Sequence, residues 1–300
     1  MPLWISVTLA AAAFQTLRFM LQKSLSAAKL SAQGATFARF VYSAPLILAG
    51  LALWLGATGR ALPVLGGAFW ADAAIGGTAQ ILATVCVVAL FRQRNFAVGI
   101  TFKKTEVIQT ALVGLVVLGE GVSAEGLGAI LLGLAAVLVL AGTPGSALAW
   151  WRQLGNRATL LGLGSGVLFA ISAVFYRAAS LELDGAEPGL RAAVTLAAVV
   201  GLQTLGMGAW LLWRDRGELR AVWAARRTAV FVGLFSMGGS FCWFLAFTLQ
   251  NAAYVKALGQ VELILSLMAS TLFFRERISG REIAGIALLG LSILALVLAI

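Results

Sequence analysis

Residues 101–120 read TFKKTEVIQTALVGLVVLGE, an apolar run with Lys103, Lys104 and Glu106 at its head. A helix needs roughly 20 mostly apolar residues to cross a bilayer, and this run belongs to such a span, near 96–118. A charged side chain at the bilayer centre costs at least about 2.5–3.5 kcal/mol on insertion scales. We therefore expect these charges to face the interior of a protein rather than lipid.

The composition of the whole chain places much of it in a membrane. Of its 300 residues, 61% are hydrophobic and 11% are charged, whereas a soluble domain is about half apolar and a quarter charged. The net charge of +10 does not indicate nucleic acid, because basic residues of membrane proteins usually report orientation. Histidine is absent, and Cys86 and Cys242 lie in apolar runs. No metal site, disulfide framework or cofactor is therefore expected.

Windows of about 20 residues predict ten membrane spans, separated by segments that carry Gly, Pro and charges. The spans lie near 3–23, 33–57, 67–91, 96–118, 122–141, 158–180, 189–213, 226–249, 252–273 and 281–299. The chain should therefore be an all-α integral membrane protein with ten transmembrane helices.

A shift of 156 residues reveals an internal duplication. It places Glu106 on Glu262 and Glu120 on Glu276, without a gap from 95 to 142. The shift equates the fourth and fifth spans with the ninth and tenth, so each half holds five helices. Because five is odd, the halves cross the membrane in opposite senses. This is the inverted-repeat plan of many secondary transporters, whose binding site lies near the midplane between the halves.

The distribution of basic residues in the connecting segments and near the ends of the spans predicts the orientation. One set of connecting segments carries fourteen of them: Lys23, Lys29, Arg92, Arg94, Arg152, Arg157, Arg214, Arg216, Arg220, Arg226, Arg227, Arg275, Arg277 and Arg281. The other face carries only Arg60, Arg177 and Arg191. Since positive charges favour the cytoplasm, both termini are expected on the non-cytoplasmic side of the cell's inner (plasma) membrane.

Two stretches carry a family resemblance. ALVGLVVLGEGVSAEGLGAILLGLAAVLVLAG (111–142) resembles the second half of an EamA domain, in which a helix ends with Gly-Glu before a short turn and a Gly-rich helix. LSLMASTLFFRERISGREIAGIALLGLSILALVLA (264–298) resembles the same element again. The chain thus looks like an EamA-type carrier of the drug/metabolite transporter superfamily. The expected domains are five-helix repeats over 1–142 and 158–300, joined by a loop over 143–157.

The resemblance implies ten helices and the export of amino acids or other metabolites, without naming the cargo. The family often has Glu-Pro where this chain has Glu106-Val107 and Glu262-Leu263, so the family's helix break is expected to be absent here. Many family members also keep their termini in the cytoplasm, against the charge count above. Alternatives from other classes are an enzyme acting on lipid headgroups and a structural or receptor-like membrane protein. The enzyme would need a cluster of His, Asp, Cys or Ser at one membrane face, and the acids here are scattered.

Two carboxylates lie near the middle of equivalent spans, Glu106 in the fourth and Glu262 in the ninth. Each is either a packing group bonded to neighbouring side chains or a group lining the transport path, where it could exchange protons. Glu106 has Lys103 one helical turn away. Glu262 has Gln260 nearby, and Lys256 lies too far along the helix to reach it. Glu262 is therefore the better candidate for proton coupling.

Four cations approach the same depth from one side: Arg18, Arg39, Lys103 and Lys104. Each arginine could instead extend to the headgroups, but the convergence indicates a pocket for a carboxylate- or phosphate-bearing, anionic or zwitterionic cargo. Consecutive helical residues are turned by about 100°, so one lysine should bind cargo while the other pairs with Glu106 or points to the interface. Lys104 is favoured as the ligand because it aligns with Gln260.

One aromatic side chain is a candidate for lining a cavity. The stretch SFCWFLAF (240–247) crowds four aromatic residues into the eighth span. Most of them should pack or face lipid. Trp243 lies at mid-span, where an interfacial anchor would be out of place, so it is the aromatic residue expected in the transport path.

Overall fold

The structure is a computed structural model that describes residues 2–28, 30–90, 102–141, 157–265, 268 and 280–299, with the backbone alone over 23–28 and at 141. Every regular element in these ranges is a helix. The helices are α1 (Leu3–Ala28), α2 (Ala32–Thr58), α3 (Gly67–Leu90), α4 (Glu106–Leu118), α5 (Ala124–Ala141), α6 (Arg157–Leu181), α7 (Pro188–Arg214), α8 (Arg216–Ala224), α9 (Arg226–Leu249), α10 (Ala252–Leu258) and α11 (Gly280–Leu298).

Helix length and composition make this a multi-pass membrane protein. Among the described residues, α1, α2, α3, α6, α7, α9 and α11 are long and apolar enough to cross a bilayer. The helices α4 and α5 are apolar but shorter. The fourth and ninth predicted spans extend into 91–101 and 269–279, which lie outside the described residues.

Local chemistry fixes where two of these helices end. The hydroxyl of Ser31 accepts a hydrogen bond from the Gly34 amide at 3.0 Å and caps the start of α2. Helix α4 ends at Gly119, whose φ of 67° is left-handed and whose amide donates to the Leu115 carbonyl at 3.1 Å. Only glycine adopts this conformation without strain, so the Gly-Glu of the predicted EamA element is a helix stop.

Three long pairings build the bundle: α1 along α9, α3 along α6, and α5 along α11. The α5–α11 pair is close because small residues line it. Ser292 Oγ donates to the Ala129 carbonyl at 2.7 Å, and a Cβ added at Gly133 would lie 2.7 Å from that Ser292 oxygen. Small residues allow such backbone approach in membranes. These two helices are also equivalent under the 156-residue shift.

Two helices are interrupted where no interruption was expected. Residues 102–103 are helical, Lys104 and Thr105 form a turn, and α4 starts at Glu106. In the second half α10 ends at Leu258 and helix resumes at Val261. The prediction that the family's break is absent is therefore wrong.

Proline is unnecessary for the break because local bonds satisfy the turns. The Phe102 carbonyl accepts from the Thr105 amide at 3.2 Å and from its hydroxyl at 2.7 Å. The amide of Gln260 likewise donates to the Ala257 carbonyl at 3.1 Å. Such bonds between residues three apart allow a helix to be broken inside protein without orphaned backbone groups.

Candidate functional site

Seven charged side chains converge in the bundle interior. They are Arg18 of α1, Arg39 of α2, Lys103 and Lys104 before α4, Glu106 of α4, Lys256 of α10, and Glu262 after the second helix break. All except Lys256 and Glu262 have less than a tenth of their surface exposed, and these two side chains are 10% and 12% exposed. We call this group the central charge cluster.

The lysines and glutamates of the central charge cluster form an ion-pair network across the two halves. Lys103 Nζ lies 3.5 Å from Glu106 Oε1, which confirms the predicted pairing. Lys256 Nζ approaches the same Glu106 oxygen at 3.9 Å, and Lys104 Nζ lies 3.6 Å from Glu262 Oε2. Each half therefore neutralises part of the other half's charge.

The turn at Lys104 and Thr105 overturns the argument that the two lysines point in different directions. That argument assumed a continuous helix with 100° between neighbours. Because the helix is broken, Lys103 and Lys104 are both buried, at 3% exposure each. Neither side chain is exposed to the outside of the bundle, and Lys104 Nζ pairs with Glu262.

The reason given for choosing Glu262 as a proton-exchanging group is also wrong. It assumed that no cation reaches this carboxylate, but Lys104 does so from the other half of the chain. Gln15 Nε2 also donates to Glu262 Oε2 at 2.6 Å. Both partners stabilise the negative charge. The two glutamates therefore differ less than the sequence suggested, and Glu106 keeps the less satisfied carboxylate, since its Oε2 has no hydrogen-bond partner among the described residues.

The two arginines of the central charge cluster lie inside the bundle, so the headgroup alternative is wrong for both. Arg39 Nε donates to Ser236 Oγ at 2.8 Å, Nη1 to Thr84 Oγ1 at 3.1 Å and Nη2 to Ser240 Oγ at 3.3 Å. Arg18 Nη1 donates to Gln22 Oε1 at 2.8 Å. Arg39 is thus held by neutral hydroxyls, and within the described residues no carboxylate forms an ion pair with either guanidinium.

A small cavity of about 30 Å³ lies against the arginines. Its lining combines cationic, aromatic and neutral polar groups: Gln15, Arg18, Arg39, Gln80, Phe169, Ser172, Tyr176, Ser240, Trp243, Phe244, Phe247 and Lys256. Trp243 therefore lines a cavity, as expected. Ligand pockets usually have volumes of roughly 300–1,000 Å³, and one water needs about 10–15 Å³. In this conformation the cavity admits water but not a metabolite.

Aromatic rings surround the lysine closest to this cavity. Lys256 Nζ lies 5.2 Å from the ring centre of Trp243 and 5.3 Å from the ring centre of Phe169. Lys103 Nζ lies 5.1 Å from the same Phe169 ring centre. Ring faces attract cations within about 6 Å. These contacts stabilise the lysines without neutralising their charge.

The net charge of the central charge cluster is +3, because Arg18, Arg39, Lys103, Lys104 and Lys256 face two carboxylates. Of the twelve acidic residues in the chain, all but Glu276 lie in described ranges. An uncompensated buried charge is costly, so this excess of positive charge is the feature of the site that a function has to explain.

Some residues of the site were missed in the sequence. Gln15 bridges the halves, since it donates to Glu262 and its Oε1 accepts from Trp243 Nε1 at 3.1 Å. Tyr176 stacks on Phe244, with centroids 4.3 Å apart, and lies beside Gln80 at the cavity. An inventory of amides inside apolar spans, rather than charges alone, would have found Gln15 and Gln80.

One predicted site residue lies elsewhere. Gln260 is buried in the second helix break, and it faces a separate gap of about 10 Å³ together with Lys104 and Ser292. Its Oε1 has no hydrogen-bond partner among the described residues. Gln260 therefore does not line the cavity of Arg39, and the alignment that favoured Lys104 as the ligand does not place either residue there.

A second, partly buried arginine site lies near the opposite end of the bundle from the basic connecting segments. Arg177 Nε lies 2.8 Å from both oxygens of Glu120, and Nη2 lies 2.7 Å from Oε1. Arg177 Nη1 also donates to the carbonyls of Phe247 at 2.6 Å and Gln250 at 3.0 Å. We call this group the Arg177 clamp; it ties the end of α4 to α6 and to the end of α9.

Comparisons with known proteins agree with this geometry. The model of the EamA-like transporter family matches residues 156–298. A crystal structure of another protein shares the fold, with a TM-score of 0.69 over 99% of this chain and 98% of that chain at 16% sequence identity. No curated protein matches the chain. The family match and the apolar helices support a transporter of the drug/metabolite transporter superfamily.

Proposed function

We propose that this chain, whose residues 156–298 belong to the EamA-like transporter family, is a secondary transporter that exports small anionic or zwitterionic metabolites. The observation that carries this proposal is the net charge of +3 in the central charge cluster, beside a cavity. A charge buried in a membrane protein generally marks a substrate or ion pathway. Amino acids and other carboxylate- or phosphate-bearing compounds would complete the charge balance.

The arginines are the best candidates for binding the cargo's anionic group. Arg39 and Arg18 both line the cavity, and neutral groups are their hydrogen-bond acceptors. An arriving carboxylate would replace weak hydroxyl contacts with charge-assisted hydrogen bonds. Lys256 and Trp243 lie on the same cavity. Lys103, Lys104 and Glu262 would tune the field of the site through their ion pairs rather than contact cargo directly.

The two broken helices are the proposed moving parts. Interrupted helices next to a midplane site are typical of transporters that work by alternating access. The break before Glu106 and the break before Glu262 are related by the 156-residue shift, and α5 packs on its equivalent α11. These relations support two inverted five-helix repeats, over 1–142 and 158–300, with 143–157 as the link. Rocking of one repeat against the other would open the small cavity alternately to each side.

The proposed orientation follows the basic residues and places both termini outside the cytoplasm, in the inner membrane of the cell. The exposed arginines around α8 lie on the face assigned to the cytoplasm, together with exposed Trp213 and Trp223. Tryptophan is enriched at membrane interfaces. In this orientation the central charge cluster attracts anions from the cytoplasm, and the Arg177 clamp lies nearer the outer side.

Flux into proteoliposomes tests the proposal. Purified full-length protein is reconstituted, and the movement of radiolabelled glutamate, glycerol phosphate, alanine and choline is compared with that in protein-free vesicles. We expect glutamate or glycerol phosphate to move fastest and choline not to move. A flux of choline alone would contradict the anionic cargo, and an absence of flux for the whole panel would contradict the transport of small metabolites. A pH gradient that leaves the flux unchanged would exclude proton coupling.

A further inference from the structure

The short helix α8 presents a basic surface at the end of the bundle. It joins α7 to α9, both long and apolar enough to cross the membrane, so it lies at the level where the chain leaves the bilayer. Five arginines in and beside it are exposed: Arg214, Arg216, Arg220, Arg226 and Arg227. Trp213 and Trp223 are 83% and 66% exposed in the same segment. We call these seven residues the α8 basic surface.

The acidic residues of this segment do not neutralise the arginines. Asp215 Oδ1 accepts from the Glu218 amide at 3.2 Å and caps α8. Glu218 Oε1 accepts from the Ser31 amide at 2.7 Å, at the start of α2. Among the described residues no ion pair involves the five arginines. The recorded partners of two of them are uncharged: Arg216 Nε donates to the Leu212 carbonyl, and Arg226 Nη1 donates to the carbonyl of Trp223 while its guanidinium lies 5.4 Å from the centre of the Trp223 ring.

One face of α8 is buried against the bundle, and the opposite face is exposed and basic. Val222 is buried in a core with Met207 and Leu211, and the carbonyl of Val222 accepts from the Tyr42 hydroxyl at 3.3 Å. Arg216 and Arg220 are four residues apart, so they share the opposite, exposed face. The inner face therefore fixes the helix on the bundle, and the outer face presents the arginine side chains of Arg216 and Arg220 away from it.

We propose that the α8 basic surface binds the phosphate headgroup of anionic phospholipids. Guanidinium groups match phosphate oxygens in a forked geometry, and tryptophan favours the headgroup level. Basic segments next to membrane helices are attracted by anionic lipids. The phosphate of the bound lipid would neutralise the arginines, with which Asp215 and Glu218 form no ion pair. Since Glu218 caps the start of α2, the helix that carries Arg39, an occupied surface would also stabilise the position of that helix.

Native mass spectrometry of the detergent-solubilised full-length protein tests this. The protein is titrated with dioleoylphosphatidylglycerol and, separately, dioleoylphosphatidylcholine. We expect the wild type to prefer phosphatidylglycerol. R216Q/R220Q should weaken its binding about twenty-five-fold, because each arginine near a membrane surface contributes about five-fold. R216K/R220K should retain most of the affinity, since the charge is kept.

The matched control is R157Q/R281Q, which also removes two exposed arginines assigned to the same membrane face but leaves α8 intact. It should change the affinity less than two-fold. Equal weakening by both pairs would mean that overall charge attracts the lipid, and would overturn the proposal. So would displacement of phosphatidylglycerol by millimolar inorganic phosphate, which would indicate a site for soluble anions. Lipid binding is measured without transport, so the outcome is independent of the proposed cargo.

Discussion

Arg39, which is buried, and Arg177, which is mostly buried, have opposite kinds of partner. Arg177 meets both oxygens of Glu120 and backbone carbonyls, so its charge is neutralised and its donors are used. Arg39 meets three neutral hydroxyls beside a cavity. A saturated arginine stabilises a structure, whereas an arginine without a counter-charge is poised to accept one. Under the proposed function, the comparison separates a structural site from the site that binds the cargo.

The largest expected effect is the loss of transport when Arg39, the proposed ligand-binding arginine, is replaced. Arg39→Gln should lower the flux of the best anionic cargo about a hundred-fold, equivalent to ~2.7 kcal/mol, because the guanidinium that binds the anion is removed. Stability should change little, since glutamine can still hydrogen-bond the hydroxyls of Ser236 and Ser240. Proteoliposome flux and thermal unfolding in detergent measure the two quantities.

Arg39→Lys is the matched variant for that experiment. It keeps the charge and loses the fork, so its flux should lie between those of the wild type and Arg39→Gln. Wild-type flux in Arg39→Gln, with the protein folded, would mean that Arg39 is as structural as Arg177.

The next largest expected effect is a loss of stability when the Arg177 clamp is removed. Arg177→Ala should reduce the free energy of unfolding by about 2–3 kcal/mol, because Glu120 and several carbonyls lose their donors in a mostly buried place. Thermal unfolding in detergent measures the loss. The control is Arg60→Gln, which breaks an exposed ion pair with Glu187 and should leave the unfolding midpoint unchanged. Equal effects of the two substitutions would show that the Arg177 clamp has no special stabilising role.

The smallest expected effect is the coupling energy between Lys104 and Glu262 in the central charge cluster. Lys104→Gln and Glu262→Gln should each destabilise the protein, because each leaves the partner's charge uncompensated. The double variant should recover part of the loss, with a coupling energy of about 1–2 kcal/mol. A double-mutant cycle of unfolding free energies measures it. Strict additivity would indicate that the 3.6 Å contact contributes nothing and that Lys104 is available for cargo after all.

The membrane character and the family resemblance could be predicted because each depends on local sequence. Hydropathy over 20 residues reports whether a helix tolerates lipid, whatever its neighbours. The resemblance around Glu276 is confirmed by the family match over 156–298. Burial of Lys103 and Glu106 could be predicted for the same reason, since charge is too costly to face hydrocarbon.

The short helix α8 shows where that local argument fails. Its nine residues are polar on one side, so no hydropathy window selects it, and the segment was interpreted as a loop. The segment is stable as a helix only because Val222, on its apolar side, packs on α2 and α7. Most of the stability of a short helix comes from such tertiary packing.

The sequence by itself determined that this chain is a membrane protein with charged groups inside its bundle, because the cost of charge in lipid and the length of a span act on each segment alone. Only the tertiary structure decided the partners: Lys104 with Glu262, Gln15 with both Glu262 and Trp243, and Arg39 with hydroxyls. These contacts join residues up to 247 positions apart. Which charges are neutralised depends on how the helices pack and where they break. A local sequence pattern cannot predict this, because the partners are far apart in the sequence.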